Sequence, residues 1–169
     1  MIKGDSTEIV LKPIGIIRTP YRGNYVPYQP LEREEGEARL ILKPEYYSAL
    51  ADLEKFRYIY VIYYCHLIEE SWQPKICPAW AKGKEVGLFA SRSPVRPNPI
   101  GLSVVKIKRI EAGEVVTNLI DAYNGTPLLD IKPYIKELDS KQDANYGWIM
   151  EVDGYDHLLL HIRGIAHKD

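Results

Sequence analysis

The stretch RYIYVIYYCHL, residues 57–67, constrains the fold more than any other part of the chain. Its β-branched and aromatic residues are dense enough to read as a central β-strand, where such side chains fit a pleated, half-buried surface. A second segment, IGLSVVKIKRIEAGEVVTNLID, reads as two strands joined by a short turn at Ala112-Gly113. Along its first arm, alternation puts Lys106 and Lys108 on one face and Val105 and Ile107 on the other. EARLIL alternates as a further strand. EIVLKPIGIIRTPY reads as a strand with Pro13 at an edge or bulge, and Val86 to Ala90 as a short one. A short helix, YYSALADL, is expected after Lys43-Pro44-Glu45, because proline suits a first turn and Glu45 suits the positive end of the helix dipole. No strand alternates with long helices, which excludes a doubly wound α/β sheet and favours an antiparallel barrel or sandwich. The closing HLLLHIRGIAHKD reads equally as a last strand or a terminal helix.

At 169 residues, with no internal repeat and no Gly/Ser linker, the chain is expected to form one domain. Its 46% apolar and 27% charged residues are those of an ordinary globular protein. No apolar stretch approaches the ~20 residues of a membrane-spanning helix. The opening MIKGDSTEIV lacks the apolar segment of a secretory signal, so a cytoplasmic location is expected. Two cysteines, Cys65 and Cys77, are too few for a disulfide framework and lack metal-ligand spacing. If Cys65 and His66 lie on a strand, their side chains point to opposite faces, so Cys65 reads as a small buried hydrophobe rather than a nucleophile. The net charge of −1 argues against a uniformly basic nucleic-acid binder. The charge is nevertheless uneven. Residues 82–109 hold seven Lys and Arg against one Glu, while Glu32, Glu34, Glu35 and Glu37 cluster upstream. A basic middle in a neutral chain permits a local phosphate-binding surface.

Two segments carry chemistry. In GLFASRSPVRPNPIGLS, residues 87–103, each of Ser93, Arg96 and Asn98 precedes a proline and is pushed into extended backbone. A loop stiffened in this way is either a connector with solvated arginines or a preorganised ligand site. In LIDAYNGTPLLDIKPY, residues 119–134, Tyr123-Asn124-Gly125-Thr126-Pro127 is a turn signature bracketed by Asp121 and Asp130. An aspartate at a strand end can accept from ribose hydroxyls, and the exposed backbone of such a turn can grip an adenine edge.

Taken with GIIRTPY at residues 15–21, Tyr28-Gln29-Pro30, His66 and FASRS at 89–93, the motifs RPNPIGLS and GTPLLDIKPY follow one another in a specific order and spacing. That pattern, over residues 14 to about 138, resembles the TsaA-like (TrmO) family. Its characterised members are S-adenosylmethionine-dependent tRNA methyltransferases. Asn124 stands where the family's turn more often has Asp, and Tyr28 where bacterial members often have Arg.

The resemblance implies a mainly β fold, a single-sheeted antiparallel β-barrel with short helices, assembled as a homodimer. It leaves the tail, residues 139–169, unassigned. It also implies a reaction, methylation of N6 of threonylcarbamoyladenosine beside the anticodon of tRNA-Thr, with S-adenosyl-L-methionine as cofactor. Another RNA or a small molecule as substrate, or a non-catalytic cofactor- or RNA-binding module, are the alternatives. Carried over by motif, the cofactor site comprises Pro27, Tyr28, Gln29, His66, Leu67, Arg92, Leu102, Ala122, Tyr123, Asn124 and Gly125. Candidates for the tRNA side are Arg96, Asn98, Lys106, Lys108, Asp130, Lys132 and Tyr134. No general base is assigned.

Overall fold

The computed structural model describes residues 9–22, 36–81 and 83–152, together with Asp156 and Leu159. Six strands carry the architecture: β1 (Gly15–Arg18), β2 (Ala38–Leu42), β3 (Tyr58–Tyr64), β6 (Ile100–Glu111), β7 (Glu114–Thr117) and β8 (Thr126–Pro133). They pair antiparallel into a closed ring in the order β1-β2-β7-β6-β3-β8, and β1 hydrogen-bonds to both β2 and β8. Closure leaves the sheet without an exposed edge. A second, two-stranded sheet, β4 (Lys75–Ile76) with β5 (Val86–Gly87), stands apart from the ring, so the fold is not single-sheeted as expected.

Alternation explains the core. In β3, Ile59, Val61 and Tyr63 turn inward while Tyr58 and Tyr64 stay exposed. In β2, Ala38, Leu40 and Leu42 do the same. With Ile17, Val105, Val115 and Leu128 they fill the ring, each with essentially no solvent exposure. Burial of each such branched side chain is worth about 1.5–3 kcal/mol.

The hairpin forms where the sequence places it, through a two-residue turn in which Ala112 and Gly113 both have positive φ, matching the twist of the two arms. The pairing slips by one residue between Ile107 and Arg109. This bulge breaks the strict alternation expected across Lys106 and Lys108.

Other boundaries also move. The first strand is confined to Gly15–Arg18, so Pro13 lies outside it. Val86–Ala90 splits into two strand residues and a 3-10 turn. The expected helix is a 3-10 helix, Pro44–Leu50, with Pro44 at its start. β3 ends at Tyr64, so Cys65 and His66 sit in a turn closed by Ile68 N–H donating to Cys65 O, rather than on the strand. Residues 23–35 and, apart from Leu159, the closing HLLLHIRGIAHKD lie outside the described residues.

Arg109 of the basic middle forms a two-pronged ion pair with Glu37, and Arg39 bonds Glu114 at 2.9 Å. Within the basic middle, Arg109 is thus balanced by Glu37, and Lys84 by Glu151. Among the described residues no helix is long and apolar enough to cross a membrane.

Candidate functional site

β7 and β8 follow one another in sequence but are not neighbours in the ring, so residues 118–125 must cross one end of it. The crossing inserts Ile120 and Ala122 into the core as a plug. Thr19 Oγ1 donates to Ala122 O at 2.8 Å, Asn124 N–H to Tyr21 O at 3.0 Å and Gly125 N–H to Ile17 O at 2.8 Å. Thr126 N–H closes the turn onto Tyr123 O, with Gly125 at φ +87°, a backbone conformation that glycine takes without steric penalty. The amides of Asn124 and Gly125 are thus committed to holding the turn. Ala122 is buried in the core; among the described residues, the amide of Tyr123 and the carbonyls of Asn124 and Gly125 make no backbone hydrogen bond.

Beneath this turn lies a polar floor that joins Asp121, which brackets the turn, and Ser103 of RPNPIGLS to Tyr63, which the sequence motifs did not single out. Ser103 Oγ donates to Asp121 Oδ1 at 2.5 Å, and Tyr63 OH donates to the same oxygen at 3.1 Å. The two hydroxyls are themselves 3.1 Å apart. Gly101 makes this possible: a Cβ there would stand 2.1 Å from the Tyr63 ring. The signal that could have found the floor is the alternation of β3, which puts Tyr63 in phase with the inward Ile59 and Val61. Burial, aided by the negative charge of Asp121, holds the Tyr63 hydroxyl well above the usual phenol range. Burial first, then Asp121, pushes the Cys65 thiol up to about 11. Neither group is ionised at neutral pH, so neither serves as base or nucleophile there.

The arginine–proline segment is knotted on itself. Ser91 Oγ donates to Leu88 O at 2.7 Å, and one guanidinium nitrogen of Arg96 reaches Ser91 O at 3.0 Å, Leu88 O at 3.4 Å and Ser93 O at 3.5 Å. The guanidinium also lies 5.5 Å from the centre of the exposed Phe89 ring. Arg96 therefore organises the loop through one guanidinium nitrogen, Nη1. Arg92 is exposed and, among the described residues, has no hydrogen-bond or ion-pair partner.

The two informative segments converge. Cys65 N–H donates to Pro99 O at 2.8 Å, and His66 Nδ1 lies 3.5 Å from Thr126 Oγ1, just past the Asn-Gly corner. A groove of about 360 Å³ has Pro97, Asn98 and Pro99 along one wall, Pro127 and Leu129 along another, and Tyr64 between them. Arg92, Leu102 and residues 122–125 are not among its lining residues. Leu102 sits on the outer face of β6, 57% exposed, opposite Ile62 of β3, and Leu67 is exposed as well.

The remaining tRNA-side candidates spread over the ring. On β8, Lys132 pairs with Asp130 at 2.8 Å, and hydrogen bonding to that carboxylate raises its pKa. Tyr134 packs against Tyr58 and Tyr60, and Lys106 is the cross-strand partner of Tyr58. Lys108 donates to Gly36 O from the bulge, away from this cluster. Pro27, Tyr28 and Gln29 lie outside the described residues.

Comparison with known proteins places this geometry in context. The model of the tRNA-methyltransferase O N-terminal domain matches residues 16–140. A probable S-adenosyl-L-methionine-binding protein of Methanothermobacter thermautotrophicus is 38% identical over 136 residues, covering 79% of this chain and 95% of that protein. The tRNA (adenine(37)-N6)-methyltransferase of Escherichia coli is 37% identical over 141 residues, covering 78% of this chain but 60% of the enzyme. The crystal structure of TrmO from Pseudomonas aeruginosa superposes with a TM-score of 0.69 at 33% identity, over 83% of this chain and 62% of that one.

Proposed function

The chain belongs to the tRNA-methyltransferase O N-terminal domain family, and from that premise we propose that it is an S-adenosylmethionine-dependent tRNA methyltransferase. Its substrate is the adenosine beside the anticodon, methylated at N6, in the threonylcarbamoyl form carried by tRNA-Thr. The observation that carries this reading is that residues 97–100 of one segment and Pro127 and Leu129 of the other, far apart in sequence, line one groove with His66 close by, while Arg92, Leu102 and residues 122–125 lie outside that groove.

The groups present suit the cofactor. An adenine edge needs one donor and one acceptor, which the amide of Tyr123 and the carbonyls of Asn124 and Gly125 would provide. Unpartnered Arg92 suits a carboxylate by a charge-assisted pair. It does not suit the sulfonium, since like charges repel strongly away from bulk water. Tyrosine faces and carbonyls suit that cation.

S-adenosylmethionine supplies an activated methyl group. The chain's own task is then to hold the attacking nitrogen in line, and positioning of that kind can supply about 7–11 kcal/mol. The protonated states of Tyr63 and Cys65 agree with catalysis by orientation rather than by a strong side-chain base. A target in a single-stranded loop costs little to unstack. The reading includes a cytoplasmic homodimer, whose interface would cover exposed Ile100 and Leu102. Light scattering should give twice the monomer mass.

Calorimetry with S-adenosylmethionine, followed by methyl transfer to modified and unmodified tRNA-Thr, tests the proposal. Binding and transfer to the modified tRNA alone is the expected result. Failure to bind the cofactor overturns the reading. Binding without transfer to any tRNA leaves a cofactor-sensing module.

A further inference from the structure

The family match ends at residue 140, yet the chain beyond it returns to the arginine–proline loop. Trp148, in the 3-10 turn Gly147–Glu151, stacks on Trp80 with ring centres 5.2 Å apart and planes 8° from parallel. Its indole Nε1–H donates to Ala90 O at 2.8 Å. Trp80 is buried, and Lys84 Nζ meets Glu151 at 3.2 Å in an exposed ion pair at the far end of the same turn.

Ala90 lies two residues before Arg92. Between residues 89 and 98 the loop's other hydrogen bonds are local: Ser91 Oγ to Leu88 O, Ser93 N–H to Ser91, Val95 N–H to Ser93, and Arg96 to residues 88, 91 and 93. Such bonds fix the loop's internal shape, while its two ends are anchored just outside it, by Leu88 N–H donating to Pro74 O and by Pro99 O accepting from Cys65 N–H. Among the described residues, the Trp148–Ala90 bond is the one hydrogen bond that ties 89–98 to a distant part of the chain. An indole N–H has a single donor direction and, once stacked on a buried ring, loses little further freedom in making that bond.

We propose that Trp148 is a positioning residue for Arg92: its indole, held by Trp80, sets the placement of the loop that presents Arg92 to the cofactor carboxylate. The functional part of this inference rests on the methyltransferase reading. The brace itself does not.

Trp148→Phe keeps an apolar ring for Trp80 and removes the N–H, whereas Trp148→Ala removes both. Hydrogen–deuterium exchange on the unliganded full chain should show residues 89–95 exchanging about fivefold faster in Trp148→Phe, as for loss of one modest hydrogen bond. The loop should exchange faster still in Trp148→Ala, with β3 unchanged in both. Lys84→Ala, which breaks only the exposed ion pair, should leave loop exchange at the wild-type rate. In methyl transfer, Trp148→Phe should raise KM for S-adenosylmethionine about fivefold with kcat unchanged. Unchanged loop exchange in both Trp148 variants overturns the brace. Faster loop exchange with an unchanged KM overturns the positioning role. If the wild-type chain binds no cofactor, the methyltransferase reading and the Arg92 role fail together, and exchange alone still decides the brace.

Discussion

The turn at 121–125 and the loop at 88–96 flank the same end of the molecule but are held by different means. The turn is fastened by Thr19, Tyr63, Ser103 and the backbone of β1, groups drawn from separate elements of the ring. The loop is fastened mostly by itself, through Ser91, Ser93 and Arg96, with Leu88 N–H on Pro74 O at its start and Trp148 on Ala90 O as its outside supports. A segment tied to the core cannot move without unfolding part of the protein. One tied to itself can shift at small cost in global stability. Substitutions under the turn should therefore appear first as lost stability, and substitutions in the loop first as lost binding.

The largest expected effect is at Gly101. In Gly101→Val the new Cβ would overlap the buried Tyr63 ring, whose nearest atom is 2.1 Å away. Destabilisation of about 2–3 kcal/mol is expected in denaturant unfolding. A near-neutral result would mean that the floor beneath the turn can rearrange, which removes the contrast with the loop.

Tyr63→Phe comes next. It takes a hydrogen-bond partner from Ser103 and Asp121 without opening a large cavity, and should cost about 1–3 kcal/mol. Arg96→Ala removes contacts to three carbonyls and a ring, all within one loop. It should cost about 1 kcal/mol globally while accelerating loop exchange and weakening cofactor binding. A loss as large as that of Tyr63→Phe would show that the loop is coupled to the core after all.

Cys65 sharpens the comparison through pH. Its folded pKa, about 11, lies above the ordinary thiol value of 9.0. The folded state therefore holds the proton more tightly than the unfolded one. Its stabilising contribution is present below about pH 9 and is lost as pH rises towards about 11. Alkylation at pH 8 should reach exposed Cys77 well before Cys65. Comparable rates would mean that this end of the ring opens readily. The smallest effect on stability is expected for Arg92→Ala. It should unfold like the parent and bind S-adenosylmethionine several-fold more weakly by calorimetry, and unaltered binding would remove Arg92 from the site.

Much of this was legible beforehand. β2, β3 and the hairpin follow from two-residue alternation, and the Gly125 turn from its Asn-Gly pair. The RPNPIG and DIKPY motifs pointed to the family that the comparisons then showed. Arg96 was legible only as a free cation, because the carbonyls that claim it become acceptors only once the loop has curled. Tyr63 stood among six tyrosines between residues 46 and 64; strand alternation puts it in phase with Ile59 and Val61, but only the ring brings Asp121 to its hydroxyl. Trp148 lay in the unassigned tail.

The sequence by itself determined what is set within a few residues: strand periodicity, proline-stiffened backbone and turn chemistry, all limited by local dihedral sterics. Tertiary structure alone decided which polar groups are committed and which remain for a ligand. A donor or acceptor is satisfied by whatever atom folding brings within about 3 Å, and here those partners come from 40 residues away for Tyr63 with Ser103 and from 103 away for Thr19 with Ala122.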